Sequence, residues 1–141
     1  MYRVLSFGEG FPPRNVAIVG VSRSEGISAP GYTGLGVLCI LIKAGFLGKL
    51  YPVNPYASVI EGLQVYAKLT TIPQQLDLVI ITVPPAAVPD VVRDCVDAKA
   101  LNVQICTSGF SETGQEDGKR LEEEIKKIAL EGNLRIIGPN C

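Results

Sequence analysis

Apolar residues come in five short runs, at residues 16–19, 50–53, 78–83, 103–106 and 134–137, each running into a turn or loop signal. Several are continuous in Val and Ile rather than alternating, the pattern of strands covered on both faces. Helical patterns lie between most of them. Residues 35–44 are apolar nearly all round and stop at Gly45, which predicts a deeply buried helix. Val88, Val91, Val92, Cys95 and Val96 recur at helical spacing, with Pro89 acceptable in the first turn. Leu121, Ile125, Ile128 and Ala129 form a third stripe, with Thr113 and Glu116 fitting a capping box before it and Gly132 ending it. The connection 55–77 carries Gly62, Pro73 and mixed polarity, and predicts a short or irregular helix. This alternation predicts a Rossmann-like α/β domain, a parallel five-stranded sheet with helices on both faces. Residues 1–14 read as a poorly ordered leader and 15–141 as the domain.

Composition narrows the function. A chain of 141 residues, 47% of them apolar, suits one domain with a substantial core. The net charge of -1, with no Lys/Arg block, argues against nucleic acid or an anionic membrane surface as partner. The longest oily stretch, residues 37–42, is too short to span a bilayer, and the first ten residues lack a signal-peptide pattern. Four cysteines without C-x-x-C spacing fit a reduced, cytoplasmic setting with buried thiols. No histidine is present, which removes Ser-His-Asp and Cys-His catalysis, His-based zinc sites and a phosphohistidine from this segment. No catalytic residue and no metal ligand is assigned.

Candidate binding residues sit in the loops that leave the carboxyl ends of the strands, where open α/β sheets hold ligands. After the first strand come Gly20, Val21, Ser22 and Arg23, then Gly31 and Gly34 before the first helix. Backbone N–H groups, a hydroxyl, a cation and a helix start together suit phosphate. The G-x-G-x-x-G fingerprint is absent, with Ser22 in place of the second glycine. After the second strand come Val53, Asn54 and Pro55, without the carboxylate that NAD-binding folds offer the ribose. Val83 and Pro84 present an apolar rim suited to an adenine ring or a pantetheine arm. Ser108, Gly109 and an exposed-looking Phe110 complete the set. Each loop alone has a plainer reading as a solvated loop, an Asn-Pro turn or a rigid corner.

Five segments in order resemble the CoA-binding domain of NDP-forming acyl-CoA synthetases, the group related to the succinyl-CoA synthetase alpha subunit. They are FPPRNVAIVGVS from Phe11, GFLGKLYPVNP from Gly45, DLVIITVP from Asp77, TSGFSETG from Thr107 and RIIGPNC from Arg135. The resemblance implies coenzyme A as ligand. Its phosphates would lie at residues 20–23 and 31–34, its adenosine at Val53, Asn54 and Pro55, and its pantetheine near residues 108–110, with Val83 and Pro84 along the ligand. Two departures stand out. Residues 25–29 (EGISA) look inserted before Pro30-Gly31, and residues 54–60 lack the lysine that the succinyl-CoA enzyme carries after its second strand.

In such enzymes a histidine elsewhere carries a phosphoryl group, an ATP-grasp domain exchanges it with nucleotide, and the CoA thiol attacks an acyl phosphate. The resemblance thus implies a CoA-positioning domain of an ADP- or GDP-forming acid–CoA ligase, a piece of a longer chain whose partners are further ligase domains or subunits. Self-association, acyl substrate and ADP or GDP preference stay open. The alternatives are a non-catalytic CoA-binding regulator, stand-alone or fused to an acetyltransferase, and, less well matched, an NAD(P)-binding oxidoreductase domain.

Overall fold

The computed structural model describes residues 8–22 and 33–141. Among these described residues, seven strands follow in chain order: β1 (Asn15–Val19), β2 (Lys49–Val53), β3 (Val59–Ile60), β4 (Leu63–Gln64), β5 (Leu78–Ile81), β6 (Asn102–Ile105) and β7 (Arg135–Ile137). Three α-helices alternate with them, α1 (Gly34–Lys43), α2 (Val88–Asp97) and α3 (Glu116–Glu131). Five strands form one parallel sheet in the order β2-β1-β5-β6-β7, as the five apolar runs predicted.

Alternate residues of each central strand feed two separate cores. Ala17 and Val19 of β1 and Val79 and Ile81 of β5 pack with Val88, Val92 and Cys95 of α2 and Ile125 of α3. Val16, Ile18, Leu78 and Ile80 face the other way, toward Leu38 of α1 and Ile60 of the β3–β4 hairpin. Both faces of these strands are therefore dry, which is why their sequence is continuous rather than alternating. The helices do lie on both faces.

Several expectations need correction. Helix α1 is not buried all round. Leu38 is covered, but Ile40 is 57% and Ile42 42% exposed, because a helix on an outer layer meets its sheet along one stripe only. The connection 55–77 is helical only over one short 3-10 turn. It holds the antiparallel β3–β4 hairpin, turned by Glu61 and Gly62 at positive φ, and a 3-10 turn over Leu69–Thr71. Tyr66 continues from the hairpin alongside β2, donating to Pro52 O at 2.9 Å and accepting from Asn54 N at 2.9 Å, so strand pairing takes the backbone groups a helix would need.

The capping box is also absent. Gln115 is the N-cap of α3 and makes no side-chain cap. A 3-10 turn over Ser111–Thr113 closes first, so the Thr113 hydroxyl donates to Phe110 O and accepts from Gln115 N, while Glu116 pairs with Lys119.

The described part of the leader, residues 8–14, is tied to the amino ends of the strands. Asn102, 2% exposed, donates its side-chain N–H groups to Glu9 O at 3.0 Å and Asp77 O at 2.9 Å. Arg135 also donates to Glu9 O. The Asp77 carboxylate accepts from the N–H groups of Arg14 and Asn15, both at 2.9 Å. A buried amide that satisfies two carbonyls on different segments is costly to lose. Asn102→Ala is expected to destabilise the fold by about 1–3 kcal/mol, read as a lower urea midpoint at unchanged m-value.

Candidate functional site

The sheet reverses its winding between β1 and β5, since the chain runs outward from β1 to β2 and then from β5 to β6 and β7. Crevices form at such a point beyond the carboxyl ends of the strands. Gly20 leaves β1 there, and the first turn of α1 descends onto it. A Cβ on Gly34 would stand 2.6 Å from Gly20 O and 2.7 Å from the Thr82 hydroxyl, so helix and strand ends meet backbone to backbone. The Thr82 hydroxyl donates to Val19 O at 2.8 Å, which fixes the β5 exit against the β1 exit. Thr33 caps α1 by accepting from Gly36 N.

A cavity of about 390 Å³ opens beside this contact. Of the residues expected from the sequence, Gly20, Ser22, Val53, Asn54, Pro55 and Val83 line it. Tyr56, Ala67, Val91 and Asp94 line it as well and were missed. Their signal was weak: Val91 and Asp94 belong to α2, whose apolar stripe reads as core, and Ala67 reaches the site only because the hairpin folds back along β2.

Asn54 does more local work than its sequence position suggested. Its Nδ2 donates to Val21 O at 2.7 Å, and its Oδ1 accepts from Tyr56 N at 2.7 Å. It thereby joins the β1 and β2 exits. Val21 does not line the cavity: its side chain is fully buried and packs in the α1-side core. Arg23, Gly31 and the inserted residues 25–29 lie outside the described residues.

Pro84, Ser108 and Gly109 do not line the cavity. They form a second rim over β5 and β6, where Thr107 donates through its hydroxyl to Val83 O at 2.7 Å and Gly109 packs against Pro85. Phe110 corrects the expectation of an exposed ring. It is completely buried in the core under α2 and α3, because the turn after it swings its side chain inward.

Glu112 was not foreseen as part of this rim. Its carboxylate accepts from Gly109 N at 2.6 Å and Phe110 N at 3.0 Å, and the Gly109 N–H is the main cause that holds its pKa below the usual carboxylate range. A carboxylate three residues after a glycine in a loop is the pattern that could have revealed it. Glu122 of α3 accepts from Ser111 N at 3.1 Å, and its carboxyl is likewise lowered, first by the Ser111 hydroxyl and then by Lys126. Two carboxylates thus order the loop from below.

Comparison with known proteins gives this geometry its family. The CoA binding domain model matches residues 14–141. The chain belongs to the CoA-binding domain family. It is 38% identical over 139 residues to acetate–CoA ligase [ADP-forming] II of Archaeoglobus fulgidus, covering 99% of this chain and 20% of that protein. It is 37% identical over 134 residues to the alpha subunit of acetate–CoA ligase [ADP-forming] I of Pyrococcus furiosus, covering 92% and 28%. In three dimensions it resembles the dinucleotide-forming acetyl-coenzyme A synthetase 1 of Ca. Korarchaeum cryptofilum in complex with phosphate and ADP. That match has a TM-score of 0.81 at 37% identity, over 91% of this chain and 26% of that one. This CoA-binding domain therefore spans well under a third of the length of the ligases it matches.

Two outcomes follow for the CoA-binding domain. Gly34→Val would force α1 away from Gly20 and Thr82 and is expected to cost about 1–3 kcal/mol, measured by thermal unfolding. The Glu112 contribution has a definite pH sign. Because folding lowers its pKa, the stabilisation is complete above the ordinary glutamate value of about 4.3 and is lost as pH falls through the lower folded value. The Gly109 and Phe110 amide NMR signals should titrate in that acidic window, and Glu112→Gln should abolish the titration.

Proposed function

We propose that this chain binds coenzyme A as a substrate and presents its thiol inside an ADP- or GDP-forming acid–CoA ligase. The carrying observation is the contact between Gly20 and Gly34, which brings a strand end and a helix start together beside a cavity lined by Gly20, Asn54 and Val83. Backbone at a helix start favours anions, so the phosphates belong at the Gly20–Gly34 end, together with Ser22, Arg23 and Gly31. Asp94 also lines the cavity, and its oxygens suit donors of the adenosine half. Val53, Asn54 and Pro55 border the adenosine. The pantetheine runs past Val83 and Pro84 toward Ser108 and Gly109, with Phe110 supporting that loop from the core.

In this reading the chain contributes proximity, holding the thiol where an acyl phosphate is delivered. The phosphoryl relay and nucleotide exchange belong to further ligase domains or subunits of ATP-grasp type, since no histidine is present here to be phosphorylated. The enzyme works in the cytoplasm, consistent with four cysteines that are all free thiols. Among the described residues no helix is long and apolar enough to cross a membrane.

Isothermal titration of the folded protein with CoA, ADP and NADH tests the reading. Saturable CoA binding, weaker ADP binding and no NADH binding are expected. Asn54→Ala, which releases the β1 and β2 exits from each other, should weaken CoA by about tenfold, or ~1.4 kcal/mol. A folded protein that ignores millimolar CoA, or that prefers NADH, would overturn the proposal.

A further inference from the structure

Two cysteines that the proposed ligand site does not use come near each other at the carboxyl end of the sheet. Cys106 follows β6, and its N–H donates to Ile81 O. The chain beyond β7 turns back across the same point, where Asn140 N donates to Thr107 O at 3.1 Å and Cys141 N to Ile105 O at 3.2 Å. These bonds flank Cys106 on both sides. Adding standard peptide dimensions to the 3.2 Å bond puts the two Cα atoms at most about 7.5 Å apart, close to the 4.4–6.8 Å that disulfides span. Gly138 makes room for the approach, since a Cβ there would stand 2.7 Å from Ile105 O and 3.2 Å from the Cys141 sulfur. The Cys141 side chain therefore lies over the end of β6.

Exposure separates the two thiols. Cys141 is exposed, Cys106 is half-buried, and burial first and then the neighbouring Cys141 raise the Cys106 pKa. Cys95 is sealed in the core with its thiol pKa pushed far up, and Cys39 sits on α1.

We propose that Cys141 and Cys106 form a redox-sensitive dithiol that exchanges with low-molecular-weight disulfides. The Cys141 thiolate attacks one sulfur of a small disulfide RSSR, forming Cys141–S–S–R and releasing RS⁻. Cys106 gives its proton to solvent and attacks the Cys141 sulfur, expelling the second RS⁻ and closing the Cys106–Cys141 bond. Two protein thiols are oxidised and one RSSR is reduced to two RSH. The bridge encloses α3 and pins the exit of β6 to the segment after β7, whether or not a ligand occupies the cavity.

The test is incubation of the folded protein with oxidised glutathione at mildly alkaline pH, alkylation of the remaining thiols, and peptide mapping. The expected product is a Cys106–Cys141 linked peptide, with Cys39 and Cys95 alkylated and a melting temperature that rises and then falls back with dithiothreitol. Cys106→Ser should stop at the glutathione adduct of Cys141, and Cys141→Ser should leave Cys106 unoxidised. Wild-type protein that gives only glutathione adducts, leaves both thiols alkylatable, or links a different pair overturns the proposal, and that reading needs neither variant to fold.

Discussion

The start of α1 rests on the end of β1 with no side chain between them, and the ligand-facing end of the molecule is arranged around that contact. Any Cβ at Gly34 would collide with Gly20 O and the Thr82 hydroxyl. The helix can reach this depth only as bare backbone. Once it does, Leu38, one turn further along α1, drops onto Val16, Ile18, Leu78 and Ile80 of the sheet. The same contact that aims the helix start at the crevice also sets the packing of one core. Side-chain bulk at this point would therefore disturb stability and binding together.

The exits of four adjacent strands are laced together by side chains that donate to backbone carbonyls of a neighbour. Asn54 joins β2 to β1 through Val21 O, Thr82 joins β5 to β1 through Val19 O, and Thr107 joins β6 to β5 through Val83 O. Each bond ties one strand exit to a carbonyl of its neighbour, and Val19 O accepts from the Thr82 N–H as well as from its hydroxyl. The loops are thus held at fixed spacing over the sheet without being part of it. Glu112 and Glu122 extend the device to backbone N–H groups of the last loop. A site whose walls are positioned by short polar links can be shaped by loop sequence while the sheet beneath stays constant.

The opposite end of the sheet is closed by the leader. Asn102, Arg135 and Asp77 hold residues 9, 14 and 15 by hydrogen bonds to backbone, so the polar side chains at this end serve stability. The division of labour matches the α/β rule that carboxyl ends of strands carry ligands.

The amino-acid sequence by itself determined the parallel sheet and its helices, because continuous Val/Ile runs and 3.6-residue stripes report burial on both faces directly. It also indicated Gly20, Val53, Asn54 and Val83 as neighbours of one site, because each ends a run that must be a strand. Tertiary structure alone decided the rest. Whether Ile40 is covered depends on what lies beyond α1, and periodicity measures only that a face is apolar. Phe110 points inward because a 3-10 turn follows it, and the hairpin at 59–64 forms because β2 offers an open edge for Tyr66 to join. Ala67, Asp94 and the Cys106–Cys141 approach join residues from different strands and helices. Such contacts are set by the strand order β2-β1-β5-β6-β7, which local composition does not encode.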